Sequence, residues 1–414
     1  MELVIGNSIV YVLCWTFYIY KKRKLDVGFV LLTIYSISAI VGIFYYQTNE
    51  FDFKIRMLPY VYLLFSFFVC FYPFLCFDSS RIKNIRINCS KNFIKYLSFV
   101  SIITTIEVLL ENIYILFSYS ITTFAFIYNK EIDVFDQYTF LGKQCYIFAN
   151  IFQYILPLLF YIYLSKYKIK KIYVFFFVLA LLNPFLKSLV SASRGDIFSF
   201  FAYNISLFIF IRHILCDKYQ RKIWLFFVIS LIFFVVSVLA ISFSRYIAKN
   251  SSSDFFNYFI IYIGEGQVNF NSFIWDQNIY TEGDKTISIF KSILGYDVPI
   301  DPLDLQYKWE ITGVSQRRFY TFVGDFVSDY GAFGALMFFF ILNLLVKKNL
   351  KNKSYINLDS LFLIMIILYV FVYGYSLFAF RRYYQQTILL VNILFYLLFV
   401  MLRLMTNSQF KRNI

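Results

Sequence analysis

The 414-residue sequence is poor in the residues that most often carry catalysis or build soluble folds. It has one histidine, six prolines, 14 glycines and six cysteines, and only 15% of its residues are charged. No His or Cys cluster has the spacing of a metal site, and neither a Walker loop nor a Gly-x-Ser-x-Gly motif is present. The low glycine and proline content excludes collagen-like and low-complexity chains. We therefore expect no metal ion and no cofactor.

Apolar residues are present in excess. The chain is 60% hydrophobic, whereas a soluble domain is about 45–50% apolar. Apolar runs of about 18 residues or more recur along the sequence, and each is long enough to cross a hydrocarbon core about 30 Å thick. The pattern predicts an all-α, polytopic integral membrane protein with about eleven transmembrane helices. The predicted spans lie near residues 3–20, 26–46, 57–77, 96–118, 145–164, 172–191, 197–211, 223–243, 326–346, 357–379 and 384–402.

Positive charge alternates between the loops. Every second loop is basic, and so is the C-terminal tail. Together these segments hold 24 basic residues and, with the acids at their edges included, four acidic ones, which gives a net charge of +20. The rest of the chain holds 15 bases and 20 acids, a net of −5. Basic loops face the cytoplasm, so we expect an external N-terminus and a cytoplasmic C-terminus. The overall charge of +15 then requires no nucleic-acid partner.

The long external loop is the first indication of function. We predict a single transmembrane domain over residues 1–414, with a large external loop at 244–325, between spans eight and nine, and a smaller one at 119–144. Three semi-amphipathic stretches in the large loop, at 255–263, 286–294 and 316–324, predict short helices. Loops of this length are commonly lids or binding elements.

Basic residues at the predicted external membrane level form a candidate anion site. Arginine presents a planar fork that suits phosphate oxygens, and ionisable groups near membrane depth are functional candidates. The alternative is that each cation reaches the lipid head groups or pairs with a nearby acid. The candidate cations are Lys187, Arg194, Arg245, Arg317, Arg318, Arg381 and Arg382.

Three acids near these cations are candidates for proton transfer. Glu265 lies between two glycines in YIGEGQVNF, so we expect a mobile carboxylate able to approach a substrate. Asp325 and Asp329 are four residues apart and share a helix face. The alternative for these two aspartates is a favourable position at the positive end of the helix dipole.

Several short motifs resemble those of Wzy-type oligosaccharide repeat-unit polymerases, the O-antigen and capsule polymerases of bacteria. They are SASRGD before a span, SFSRY after another, FVSDYGAFGALM entering the next and FRRYYQQ before the last. The arrangement of about eleven spans with one large external loop late in the chain is similar as well. The resemblance covers most of the chain in layout.

The resemblance implies a membrane glycosyltransferase that acts without a metal. It also implies a bacterial inner membrane, so that the N-terminus and the loops 119–144 and 244–325 would be periplasmic. Its substrates would be undecaprenyl-diphosphate-linked glycans, one as donor and one as acceptor, and its partners would be membrane lipid and a chain-length regulator. The seven cations would bind the diphosphate, and Glu265, Asp325 or Asp329 would act on the proton of the attacking hydroxyl. Glycan rings would stack on Trp275, Tyr320, Tyr383 and Tyr384.

Three other functions remain open. An O-antigen ligase has a similar plan, but its family carries a functional histidine in the external loop and this chain has none there. A lipid-linked oligosaccharide flippase would be a transporter with its cations in a central cavity. A metal-dependent lipid-phosphate glycosyltransferase would use an early external acid pair, for which Glu50 and Asp52 are the candidates.

Overall fold

The computed structural model describes residues 1–48, 55–118, 134–166, 170–191, 194–249, 255–315, 318–350 and 354–412. Helices account for 80% of the protein, which is consistent with the predicted all-α membrane protein. In the described residues, seven helices are long and apolar enough to span a membrane. They are Glu2–Lys22, Val27–Thr48, Met57–Arg81, Lys91–Ser118, Lys171–Val190, Thr321–Asn349 and Tyr383–Thr406.

One further predicted span, 145–164, is a bent pair of helices. Phe140–Phe152 and Ile155–Lys166 meet at 64°. Pro157 has no N–H to donate to the carbonyl of Gln153, which accounts for the bend at this position. Predicted spans seven and ten correspond to the shorter apolar helices Phe200–Ile214 and Leu358–Tyr373.

The described chain forms fifteen α-helices and two short strands, and it divides into two compact units. Unit 1 comprises Met1–Ser79, Phe256–Asn352 and Ile366–Leu394, and unit 2 comprises Ser80–Phe255, Lys353–Met365 and Phe395–Ile414. Helices α14 and α15 contribute to both units. The helices are α1 Glu2–Lys22, α2 Val27–Thr48, α3 Met57–Cys76, α4 Lys91–Ser118, α5 Phe140–Phe152, α6 Ile155–Lys166, α7 Lys171–Val190, α8 Arg194–Ile211, α9 Asp217–Lys249, α10 Phe255–Asn269, α11 Ser288–Ile293, α12 Pro302–Lys308, α13 Thr321–Asn349, α14 Leu358–Tyr373 and α15 Tyr383–Arg412.

Unit 1 has an aromatic core. Helix α1 packs on α2, α2 on α3, and α3 on α13. The ring of Tyr35 lies 4.4 Å from that of Phe67 and 5.0 Å from that of Phe71, and its hydroxyl donates to the carbonyl of Phe371 at 2.9 Å. Edge-to-face ring contacts of this kind add to the gain from burial, so the core fixes α2, α3 and α14 relative to one another.

Unit 2 contains α4 to α9, with α4 packed against α5, α6 and α7. Its described residues also include a parallel two-stranded ladder, in which β1 Asn84–Arg86 pairs with β2 Tyr355–Asn357. The guanidinium of Arg86 lies 4.3 Å from the ring centre of Tyr355. The two strands lie next to loops that the charge pattern places on the same side of the membrane, so their pairing agrees with that pattern.

Helix α13 is broken near its beginning. Gly331 has φ +71° and ψ 171°, which is not helical, and the ring of Tyr280 fills the space where a Cβ would lie, 3.0 Å away. Residues 321–330 therefore form a separate, almost entirely buried half-helix, followed by a longer helical part at 332–349. The predicted span 326–346 crosses this break, because glycine in an apolar run gives no sign of a positive φ.

The predicted loop 244–325 is mostly helical at its start. Helix α9 continues to Lys249, and α10 is followed by a π-helical turn at Phe270–Ile274. The short helices α11 and α12 follow, and Asp301 caps α12 through the N–H groups of Leu303 and Asp304. Of the smaller predicted loop, residues 119–133 lie outside the described residues.

Candidate active site

Glu265 lies in a tightly packed part of unit 1. Its neighbours Gly264 and Gly266 belong to α10. A Cβ on Gly264 would lie 2.7 Å from the carbonyl oxygen of Val41, and a Cβ on Gly266 would lie 2.5 Å from the carbonyl oxygen of Tyr375. The glycines therefore allow α10 to approach two backbone segments closely, and they do not provide the mobility expected from the sequence. The Glu265 side chain is held in place, with the residue only 7% exposed.

The surroundings of Glu265 set its pKa. The carboxylate accepts a hydrogen bond from Asn269 Nδ2 at 3.0 Å and another from the backbone N–H of Phe319. Burial raises the pKa of Glu265 to about 8, and these hydrogen bonds and the charge of Arg318 partly oppose the increase. A carboxyl group with a pKa near the working pH can both accept and return a proton.

Arg318 is the cation beside Glu265. Its side chain is exposed and its guanidinium lies 4.6 Å from the ring centre of Phe273. Among the described residues it forms no ion pair. The carbonyl of Arg318 accepts a hydrogen bond from Arg381 Nη1 at 3.1 Å. Buried Arg381 thus fixes the backbone of Arg318, whose side chain is exposed.

Arg381 also pairs with the first of the two predicted aspartates. Its Nη1 lies 3.5 Å from Asp325 Oδ1, and the two side chains are 7% and 0% exposed. Asp325 Oδ2 accepts the backbone N–H of Phe378 at 2.8 Å. These contacts join the half-helix of α13 to the segment between α14 and α15, so Asp325 acts here as a structural anchor.

Lys285 is a buried cation that the sequence interpretation missed. It has no exposed surface, and its Nζ donates to Ser328 Oγ at 2.8 Å. The Ser328 hydroxyl in turn donates to Gln277 Oε1 at 3.1 Å. Burial lowers the pKa of Lys285 to about 7; the nearby Arg381 lowers the pKa further, and Asp325 and Asp329 oppose the decrease.

Asp329 and Gln386 complete the attachment of the segment around Lys285. Asp329 accepts hydrogen bonds from the hydroxyls of Thr281 and Thr286, the latter at 2.6 Å. The Gln386 amide donates to the carbonyl of Lys285 at 3.1 Å and accepts from the N–H of Ile289 at 3.1 Å. The segment 277–291 is therefore bound to both α13 and α15 by polar groups.

Asp284 anchors the short helices beyond this segment. Its carboxylate is fully buried and contacts Lys291, Lys308 Nζ at 3.0 Å and Trp309 Nε1 at 2.9 Å. Because Lys291 lies in α11 and Lys308 in α12, one carboxylate holds both helices. A buried charge is tolerated when it is paired and hydrogen-bonded in this way.

The other predicted cations are distributed over both units. In unit 2, Lys187 donates to Asn150 Oδ1 and lies 4.9 Å from the ring centre of Tyr146. Arg194 begins α8 and Arg245 lies in α9, but their side chains are outside the description, as is all of Arg317. In unit 1, Arg382 is exposed next to Arg381. The structure thus places Arg318, Arg381 and Arg382 in the same unit as Glu265.

The four predicted glycan-binding aromatics differ in exposure. Tyr320 is fully buried and its hydroxyl donates to the carbonyl of Ser315 at 2.7 Å. Trp275 is half-buried, with its ring 5.2 Å from that of Tyr62, and Tyr383 donates to Ser292 Oγ at 3.2 Å. Tyr384 is 46% exposed and offers the most open ring face of the four.

Among the described residues, no group of three or more His, Cys, Asp or Glu residues could hold a metal ion. Glu50 and Asp52 lie outside the described residues. Glu111, in α4, accepts the backbone N–H of Thr139, the N-cap residue of α5, at 3.1 Å. Glu111 thus holds the residue that caps α5.

Comparison of the chain with protein-family models, curated proteins and solved structures gave no match. Function must therefore be argued from the site. Unit 1 combines the Glu265 carboxyl group, whose pKa is raised to about 8, with the exposed guanidinium of Arg318 and a network of hydrogen bonds around both. These groups together can transfer a proton next to an anionic group.

Proposed function

We propose that the protein is a membrane glycosyltransferase that polymerises oligosaccharide repeat units linked to undecaprenyl diphosphate, at the periplasmic face of a bacterial inner membrane. The observation that carries the proposal is the pairing of Glu265, whose pKa is raised to about 8, with the exposed guanidinium of Arg318. The motif resemblance and the alternating loop charges support the same function.

Glu265 supplies the base in this proposal. The acceptor sugar hydroxyl attacks the anomeric carbon of the donor glycan, the bond from that carbon to the diphosphate oxygen breaks, and the hydroxyl proton passes to the Glu265 carboxylate. With a pKa of about 8, roughly a tenth of Glu265 is ionised at pH 7. The transfer rate should therefore increase with pH up to about 8.

Arg318 and Arg382 bind the departing diphosphate. Both side chains are exposed, and the planar guanidinium can donate two hydrogen bonds to phosphate oxygens. The charge that develops on the leaving group is stabilised by donors that are already in place. Arg381 contributes indirectly, because it fixes the Arg318 backbone and is itself neutralised by Asp325.

The segment 275–315 covers the glycan in this proposal. It is attached through Asp284, Lys285 and Asp329, and loops of this length commonly close over substrates. Tyr384 offers a ring face for a sugar. A chain-length regulator is the expected protein partner.

Reconstitution tests the proposal directly. Purified protein in liposomes should convert an undecaprenyl-diphosphate-linked repeat unit into a ladder of longer glycans and release undecaprenyl diphosphate. Glu265→Gln and Arg318→Ala should each lower the rate by about 10²–10³, and Arg318→Lys should retain part of it because the charge remains. Glu2→Gln and Arg86→Ala, at exposed positions outside the proposed site and the segment 275–315, are the matched controls. A normal ladder from both Glu265→Gln and Arg318→Ala would refute this site.

A second candidate function is ion-coupled transport of the same lipid. The beginning of the interrupted helix α13 meets the segment that follows α14 in unit 1: the N–H groups of Thr321 and Phe322 donate to the carbonyls of Ser376 and Gly374 at 2.8 and 2.9 Å. Interrupted helices with buried charges are typical of transporter binding sites.

The two candidates differ in their products. A transporter moves an intact lipid-linked oligosaccharide across the liposome membrane and leaves its length unchanged. In cells, loss of a polymerase leaves single repeat units attached to the final acceptor. Loss of a flippase traps single units on the cytoplasmic face, and loss of a ligase leaves lipid-linked polymer unattached. Long attached chains in the deletion strain would refute the polymerase.

A further inference from the structure

A cavity lies within unit 2, and none of the residues assigned above to glycosyl transfer lines it. It has a volume of about 410 Å³ and is enclosed by α6, α7, α8 and α9. This volume is in the range of sites that bind small molecules. Most of the lining residues are aliphatic or aromatic, and polar Asn204 and Ser230 also face the cavity.

The basic residues of the cavity occupy one end of it. Lys171 begins α7, and Lys218 and Lys222 lie in the first two turns of α9, four residues apart on one helix face. All three are exposed, and among the described residues none of them is in an ion pair. Both segments carry the positive charge that the loop pattern assigns to the cytoplasmic side.

The apolar residues extend away from these lysines. Along α7 the lining reaches Phe185, fourteen residues beyond Lys171, and along α9 it reaches Ser230, twelve residues beyond Lys218. At 1.5 Å per residue these distances are about 21 Å and about 18 Å. One leaflet of a hydrocarbon core is about 15 Å thick. The cavity is therefore as deep as the tail layer of one leaflet, with cations at its head-group end.

We propose that this cavity binds an anionic phospholipid of the cytoplasmic leaflet. The acyl chain occupies the apolar part between α7 and α9, and the phosphate lies among Lys171, Lys218 and Lys222. Charge and depth both support this ligand: an uncharged lipid would leave the lysines without a partner, and a small anion would leave the apolar length unfilled. Basic sites between helices on the cytoplasmic side recognise anionic head groups through this combination of features.

Native mass spectrometry of the full-length protein in detergent tests the proposal, with phosphatidylglycerol and phosphatidylcholine of the same chain length as probes. The wild type should retain phosphatidylglycerol preferentially. The triple variant Lys171→Gln, Lys218→Gln, Lys222→Gln should bind it on the order of 100-fold more weakly, since each cation near an anionic head group contributes about one kcal/mol. Val178→Trp, which fills the lining of α7, should also weaken binding.

The control is a second triple variant, Lys95→Gln, Lys347→Gln, Lys348→Gln, which removes the same charge from exposed lysines outside the cavity. It should bind phosphatidylglycerol like the wild type. Equal retention of the two lipids by the wild type, or unchanged binding by the cavity triple variant, would overturn the proposal. So would competition by glycerophosphoglycerol as effective as that by the whole lipid, because the acyl chain would then contribute nothing. Since no residue here takes part in glycosyl transfer, these results are independent of the proposed function.

Discussion

The buried Lys285 should make the stability of the protein depend on pH in a way that one substitution removes. Its pKa is about 7 in the folded state against 10.5 for an ordinary lysine. Between these values the unfolded chain binds more protons than the folded one, so the free energy of unfolding increases with pH over this window. Replacement by methionine, which has a similar shape and no charge, abolishes this contribution.

The size of the effect follows from the two pKa values, at about 1.4 kcal/mol per pH unit. At pH 7 the buried lysine destabilises the wild type by about 4 kcal/mol, and at pH 9.5 by about 1 kcal/mol. The penalty thus decreases by about 3 kcal/mol between these conditions. Loss of the hydrogen bond to Ser328 affects the variant equally at both values, so the difference between them isolates the titration.

The assay is thermal unfolding of the purified proteins in detergent, followed by tryptophan fluorescence at one scan rate. The Tm of Lys285→Met minus the Tm of the wild type should be several degrees higher at pH 7 than at pH 9.5. Lys347→Met, at an exposed site, should show no such change. The same Tm difference at both pH values would mean that Lys285 is not buried as a titrating group, and our account of the network around Ser328 would be wrong.

Three other substitutions test separate parts of unit 1. Asp284→Asn removes the buried negative charge that pairs with two lysines, at a cost of about 2–4 kcal/mol. It should speed tryptic cleavage between α11 and α12, whereas the exposed-site variant Glu310→Gln should not. Equal cleavage rates for the two variants would contradict the anchoring role of Asp284. Gly266→Ala places a Cβ 2.5 Å from a backbone carbonyl and should lower the Tm by an amount equivalent to about 1–3 kcal/mol. Gly6→Ala, with no atom within 4 Å of the added group, should leave the Tm unchanged or higher, and similar effects at both sites would refute the close packing. The raised pKa of Glu265 means that the free energy of unfolding of the wild type falls as pH increases from about 4.5 to 8. The stability of Glu265→Gln relative to wild type should therefore grow by about 3–4 kcal/mol from pH 5 to pH 8. A constant difference would exclude a raised pKa.

The membrane helices were predictable because their signal is local. The apolar run predicted at 3–20 is found as α1, Glu2–Lys22, and the run at 172–191 as α7, Lys171–Val190. Backbone hydrogen bonds must be satisfied within each spanning segment, so a long apolar run in a membrane forms a helix whatever its neighbours. The break at Gly331 was not predictable, since it depends on the ring of Tyr280, 51 positions earlier in the numbering.

The candidate site was predictable only where charge stands out from its surroundings. Glu265 is an isolated acid in an apolar stretch, and its selection needed no knowledge of the fold. Lys285 lies in a polar stretch, NIYTEGDKT, that looks solvated. It is buried because of partners 43 and 101 residues away, Ser328 and Gln386, and such contacts leave no local periodicity.

The bridge made by Gln386 has a consequence for how the protein is assembled. Residues are synthesised in order, so Lys285 leaves the ribosome before Ser328 and Asp329, and well before the helix that carries Gln386. The polar groups of the segment around Lys285 therefore remain hydrated until helices α13 and α15 have been synthesised. Because the Gln386 amide contacts both Lys285 and Ile289, the final attachment of this segment follows membrane insertion and depends on α15.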